Sequence, residues 1–515
     1  MLNQNSQKKN IYLSSTFGVI EQLVSYVVSF LFRTVFLYVL SKSYLGIEGL
    51  FGSILQVFSL AELGIGAVIA FKMYEPIKHK DLDHCAALLK FYKHFYWCLA
   101  AGIMLMGAVL FPFLHVFIAD ASEVPADVNL SLVYWLYVIQ SSVSYLCVYM
   151  QTLLSADQRG YVISKANMLS QIGMNIIKIA ILLIWRDFTL TLIVGIACNV
   201  LYNILFNIYI RHVYKEIISR QSNSLPRQEI IQIFKDTGAL LCHKVGYVVV
   251  KSTDSIILSS FIGVSVLGMY SNYNLISESL DKFLNKIFGS FVSTIGNMAI
   301  DTKPEEQFET YQKFRFLNIW AASFCAICFF VLANPFIMVW LGDDYLLDIF
   351  VVAILSFNIF VNSSRIINTS YINATGMFVK DKIRPLIEAI LNLVISISLV
   401  IHLGIAGVFI GTVASTLLTV FWREGFILYH NVFKRSSIEY FNCYGLWFAL
   451  TVATAALLYF VCGFLPANLL GFIVKMLVCA LGVNFVFVLC MFRNKHFRFF
   501  FAKARAFVVQ RFSKK

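Results

Sequence analysis

Apolar runs long enough to cross a bilayer recur along the whole 515-residue chain, separated by short polar breaks. A helix rises about 1.5 Å per residue, so about 20 apolar residues cross the hydrocarbon core. The pattern predicts fourteen spans, at residues 17–40, 46–71, 92–117, 131–154, 166–185, 188–210, 233–262, 268–297, 316–338, 348–373, 384–402, 405–428, 441–463 and 469–492. Two of them are not apolar all round. On a helix turning 100° per residue, Asp236, Thr237, His243, Lys244, Tyr247, Lys251, Asp254 and Ser255 share a stripe of about 120°. Leu240 and Leu258 fall in it too, and Cys242, Val245, Val249 and Ile256 lie opposite. In the next span Ser271, Asn274, Glu278, Asp281, Lys282, Asn285, Gly289 and Ser293 make a similar stripe. A charge at the bilayer centre costs about 2.5–3.5 kcal/mol. Lys244, Lys251, Asp254, Glu278, Asp281 and Lys282 are therefore expected to face each other or water, as the wall of a polar cavity inside a helix bundle.

Composition agrees with this reading. The chain is 59% hydrophobic and 13% charged, with a mean hydropathy of +0.76, which describes a polytopic membrane protein rather than a soluble core. The opening MLNQNSQKKN is polar and the run after it is span-length, so a cleavable signal peptide is not expected. The 11 cysteines are scattered through apolar runs. Cys325 and Cys328 form a CxxC within a span, with no histidine or second pair beside them. They read as small hydrophobes, and neither a metal site nor a cofactor is predicted.

The net charge of +13 is placed unevenly. Lysines and arginines collect in residues 72–93, 211–227, 380–384 and 493–515, whereas the alternate loops hold Lys42 and Arg186 among Asp120, Glu123, Asp127, Asp343, Asp344 and Asp348. This is the positive-inside pattern, with both termini cytoplasmic. The basic balance thus reports topology and attraction to anionic lipid headgroups, not nucleic-acid binding. The tail from Arg493 to Lys515 reads equally as an amphipathic helix on the inner leaflet or as simple charge retention.

The chain also repeats. Leu45-Gly46 returns as Leu267-Gly268, Ala156 as Ala374, Asn175 as Asn392 and Gly195 as Gly411, at separations drifting from 222 to 216 residues. Four matches in order predict two six-helix halves of the same orientation, related by a pseudo-two-fold axis along the membrane normal. The expected divisions are an N-terminal lobe at 1–216, a C-terminal lobe at 217–430, an extra helix pair at 431–492 and a basic tail at 493–515.

In the first half, Gly18, Gln22, Ser25, Ser29 and Arg33 share a face of span 1, with Glu21 beside it. Gly52, Gln56, Ser59, Glu62 and Gly66 share a face of span 2. The planar fork of Arg33 suits two-point contact with a phosphate; the alternative is pairing with Glu62 or Glu21. Lys244 and Lys251, seven residues apart, together with Lys282 suit an anionic substrate, or pair structurally with Glu278 or Asp281. Lys178 and Arg365 are isolated intramembrane cations that extend this lining or pair locally. Glu62, Asp254, Glu278 and Asp281 are the candidates for coupling to H+ or Na+. His243 reads as a buried hydrogen-bonding residue. No glycine-rich phosphate loop, HExxH or GxSxG is present, and the longest outer loop, residues 119–130, is about a dozen residues. An enzyme is not expected, and neither is direct use of ATP.

The run FRTVFLYVLSKSYLGIEGLFGSILQVFSLAELGIGAVIAFKMYEPI resembles the opening of bacterial Wzx-type polysaccharide flippases, members of the MATE-like MOP exporter superfamily. LLSADQRGYV and NATGMFVKDKIRPLIEAILNLVISISL are also similar to that family, and the likeness runs over most of the chain. The resemblance implies a 14-helix, V-shaped bundle of two lobes in the bacterial inner membrane. It implies an undecaprenyl-diphosphate-linked oligosaccharide as cargo, moved to the outer leaflet, with its lipid tail along spans 13 and 14. By position only, Arg33, Lys244 and Lys251 map onto the family's cationic cavity. A polysaccharide polymerase and glycosyltransferases are the protein partners it brings into view. A cation-coupled multidrug exporter of the same superfamily is the rival, and a glycan polymerase or acyltransferase is a second one that the short outer loops disfavour.

Overall fold

The computed structural model describes residues 4–512 except 60–64, 221–223, 293–294, 296–301, 376 and 378–382. The chain is all-helical, and no strand occurs among the described residues. Among the described residues, eleven helical stretches are long and apolar enough to cross a membrane. The described residues of the three other expected spans are helical as well. Residues 46–71 form α2 (Lys42–Phe58) and α3 (Ile65–His79), on either side of residues 60–64. Residues 233–262 and 268–297 correspond to α10 (Arg227–Phe261) and α11 (Val264–Gly289), the helices with the charged stripes.

The chain forms two compact units, Met1–Gly268 and Met269–Lys515. In the first, α1 (Gln4–Val39) pairs with α7 (Gly160–Trp185), α4 (Leu82–Leu110) with α5 (Leu130–Val148), and α7 with α8 (Phe188–Val213). The short α6 (Gln151–Ala156) and α9 (Lys215–Ile218) come after α5 and α8. Helix starts are set by side-chain caps: Asp81, Asn129 and Asp187 accept hydrogen bonds from the backbone N–H groups of His84, Leu132 and Leu190. Helix α10 packs on α2 and α3, burying Ile233, Val248, Ile257 and Leu258. The seventh span therefore lies in the first compact unit, and the packing boundary falls later in the chain than the division expected at 216/217.

The repeat-matched glycines meet in this unit. A Cβ on Gly46 would stand 1.7 Å from the carbonyl oxygen of Val264, and one on Gly268 would stand 2.0 Å from that of Lys42. Each glycine thus lies against the residue four positions before the other. Only a residue without Cβ permits this backbone contact between the starts of α2 and α11.

The second unit is built around α12 (Pro304–Leu341), which packs against α13 (Ile349–Ser363), α18 (Ile438–Gly463) and α19 (Leu469–Met491). Helix α14 (Ile366–Ala374) continues from α13. Helices α15 (Arg384–Leu403) and α16 (Ile405–Thr416) form a close hairpin through Gly404, tied by Asn392 donating to Thr412 at 2.9 Å and Ser396 donating to the Val408 carbonyl at 3.0 Å. The helix then runs on through wide-turn segments Leu417–Phe421 and Ile427–Val432, with α17 (Trp422–Phe426) between them. The tail begins as α20 (Lys495–Phe512), whose first turn docks on α12. Phe497 stacks on Trp320, and Lys313 stands 4.5 Å from the Phe499 ring centre.

Candidate transport site

In the first unit, the polar face of α1 carries Arg33, and α7 brings Lys178 beside it. The Lys178 ammonium lies 4.0 Å from the centre of the Phe32 ring. Gly195 on α8 leaves room for its stem: a Cβ there would meet the Lys178 Cδ at 3.4 Å. Glu48 on α2 acts electrostatically on both Arg33 and Lys178. All three are half-buried. Sequence reading missed Glu48 because it lies close to the predicted start of the span at residue 46. It stands one turn before Gly52, so extending the stripe of Gly52, Gln56 and Ser59 backwards would have reached it.

Two other first-unit candidates tie helices together. Glu21 accepts from Asn167 at 3.1 Å, and Tyr202 donates to Asn167 at 2.6 Å, so Glu21 joins α1 to α7 and α8. Gln56 accepts from Ser252 at 3.2 Å, linking α2 to α10. Asp254 is buried and Lys251, one turn earlier, is half-buried. Lys244 and His243 lie on α10, but their side chains are outside the described residues, as is Glu62 altogether.

In the second unit, α11 shows the expected polar stripe as a ladder. Tyr270 donates to Asn274 at 3.2 Å, Asn274 to Glu278 at 3.1 Å, and Lys282 to Glu278 at 3.0 Å. The Glu278–Lys282 pair is exposed at its lysine end. Asp281 accepts from Ser363 on α13 at 2.6 Å. Arg365 pairs locally: it is held by both Glu424 oxygens, at 3.0 and 2.9 Å, with the two residues 9% and 2% exposed. Glu388 stands next to this pair, accepting from Thr416 at 3.0 Å and facing Arg384 at 3.4 Å. On α12, the buried Arg315 donates to the Tyr429 hydroxyl and lies over the Tyr311 ring. Glu388, Glu424 and Arg315 went unread because each falls near a predicted span end. The wide-turn segments carry the helix past Glu424 and draw it inside.

Cys325 and Cys328 are both free thiols. Among the described residues no cluster of histidine, cysteine and carboxylate is arranged to hold a metal ion.

No protein-family model matches the chain, and no curated protein matches it significantly. Solved structures share its fold. A lipid II flippase MurJ in an inward closed conformation matches at TM-score 0.64 and 13% identity, over 93% of this chain and 99% of that one. A multidrug resistance MATE family transporter of the MOP superfamily, inward-facing, matches at 0.60 and 12%, over 76% and 91%. A MOP superfamily transporter from Pyrococcus furiosus matches at 0.51 and 13%, over 80% and 93%. At these identities the likeness is one of fold.

Proposed function

We propose that the protein is a flippase of the MOP-superfamily type that carries an undecaprenyl-diphosphate-linked oligosaccharide from the cytoplasmic to the outer leaflet of the bacterial inner membrane. The observation that carries this reading is coverage. The lipid flippase fold accounts for 93% of this chain, whereas the inward-facing multidrug transporter leaves about a quarter of it unmatched. Arg33 and Lys178 take the diphosphate, because a planar fork and a point charge share one half-accessible site. Lys251 and Lys244 extend the basic lining towards the sugar, and Lys282 of the second unit is a further candidate cation. Arg365, locked to Glu424, is a structural cation in this reading. Asp254, Glu278, Asp281 and Glu62 remain the candidates for coupling to H+ or Na+, and transport proceeds by alternating access of the lobes at 1–216 and 217–430. The protein is a carrier and not an enzyme, its termini are cytoplasmic, and it works beside a polysaccharide polymerase and glycosyltransferases.

The second reading, a cation-coupled drug exporter, draws on the shared MATE fold. Purified protein in proteoliposomes separates the two. A lipid-diphosphate oligosaccharide labelled on its sugar becomes accessible to a membrane-impermeant quencher if the proposal holds. Transport of a cationic dye with no movement of the labelled lipid would overturn it.

A further inference from the structure

A pocket of about 700 Å³ opens in the first unit where the beginning of α4 meets the α5–α6 junction and the end of α8 with α9. Its floor is apolar, with Leu89, Met150 and Ile217 buried. Its rim is basic: Lys90, Lys93, Arg211 and Arg220 line it with His94, and no carboxylate does among the described residues. Asp83, outside the lining, holds Arg220 at 2.8 Å. The rim is ordered by neutral partners as well. Arg211 acts electrostatically on Tyr149, the Lys93 ammonium stands 4.6 Å from the Trp97 ring centre, and the His94 ring donates to the Lys90 carbonyl at 2.7 Å.

The depth of the pocket is readable from its surroundings. Trp97 and Tyr209 are 49% and 45% exposed, as interfacial aromatics are. Past Trp97, α4 continues as an apolar run. On α8, Leu205 and Ile208 leave an exposed apolar flank just before Arg211. The pocket therefore lies where headgroups meet hydrocarbon, and the positive-inside pattern assigns that level to the inner leaflet.

We infer that this pocket holds the phosphate of an anionic glycerophospholipid of the inner leaflet, with the acyl chains lying along Leu205 and Ile208. The combination fits an amphiphile: a basic rim for the phosphodiester, and a dry floor and flank for the glycerol and acyl chains. A zwitterionic lipid brings a competing cation to the same rim and binds less well. The inference does not rest on the transport reading, because the pocket stands apart from the Arg33–Glu48–Lys178 cluster.

The test is native mass spectrometry of the full-length protein with phosphatidylglycerol and phosphatidylethanolamine at equal mole fraction. The wild type is expected to retain phosphatidylglycerol at least about tenfold better, and the Lys90→Ala/Lys93→Ala/Arg211→Ala variant to lose that preference at an unchanged Tm. A folded variant that keeps the preference overturns the inference. Displacement by inorganic phosphate at millimolar concentration also overturns it, since the site would then serve a free anion. If the triple variant fails to fold, a photoactivatable phosphatidylglycerol on the wild type decides the matter. Labelling confined to α4 and the end of α8 supports the site, and labelling only elsewhere refutes it.

Discussion

The two units each bury cations beside carboxylates, and they do so to opposite ends. In the first, Glu48 acts on both Arg33 and Lys178, and every member is half-buried. In the second, Arg365 is clasped by both oxygens of Glu424, Glu388 stands close by, and the pair is sealed. A buried ion pair whose partners fully satisfy each other gives little net stability and has nothing left to offer a ligand. A cluster whose members are only half-buried leaves charged surface open to an incoming anion. Intramembrane charge alone is thus not a substrate site; burial distinguishes the two clusters.

The largest expected effect breaks the sealed pair. Glu424→Ala leaves the Arg365 guanidinium buried without its clasp and is expected to cost about 3–5 kcal/mol, read as loss of folded protein in detergent. The Arg365→Met/Glu424→Leu double variant is expected to recover the Tm, because removing both charges is close to neutral. A double variant as unstable as the single would show that the fold needs the ion pair itself and not merely its charge balance. On the accessible cluster the expectation reverses. Arg33→Ala leaves Tm unchanged and lowers flipping about 10- to 100-fold, the worth of a charge-assisted contact of about 1.5–3 kcal/mol. Lys251→Ala is expected to reduce export while inserting normally, and wild-type export by an inserted variant removes that residue from the site.

A smaller effect tests the crossing of α2 and α11. Gly46→Ala forces a Cβ into the Val264 carbonyl and is expected to cost about 1–3 kcal/mol, seen as a lowered Tm. Gly52→Ala, two turns on, has open space around its Cβ and is expected to be neutral. The smallest effect concerns the tail. His496 packs against Phe316, and burial, helped by Lys495, Arg315 and Lys313, pushes its imidazole down to about 4. The undocked tail takes up a proton near the ordinary histidine value, which the docked tail resists until about pH 4. Docking is therefore complete above the ordinary value and weakens as pH falls towards 4. Tryptic cleavage at Arg498 should rise several-fold at pH 5 after brief exposure, and His496→Phe should remove that dependence.

Much of the fold was legible because hydrophobic runs and charge placement are direct consequences of the bilayer. The α11 stripe was legible for the same reason, and the structure strings it into a ladder from Tyr270 to Lys282. Two of the four matched positions that suggested a repeat, Gly46 and Gly268, touch each other's helix. Pairing was not legible. That Arg365 belongs to Glu424, 59 residues on, depends on wide turns that no periodicity announces. Glu48 was hidden by its place near a predicted span start, although its stripe was already drawn one turn further on.

The most direct measurement is quencher accessibility of a sugar-labelled lipid-diphosphate oligosaccharide in proteoliposomes, comparing wild type, Arg33→Ala/Lys178→Ala and Arg365→Met/Glu424→Leu. Loss of flipping in the first variant and its retention in the second is the predicted result. Flipping that survives without Arg33 and Lys178, but fails without the Arg365–Glu424 pair, would contradict the assignment of the cargo's phosphates to the accessible cluster.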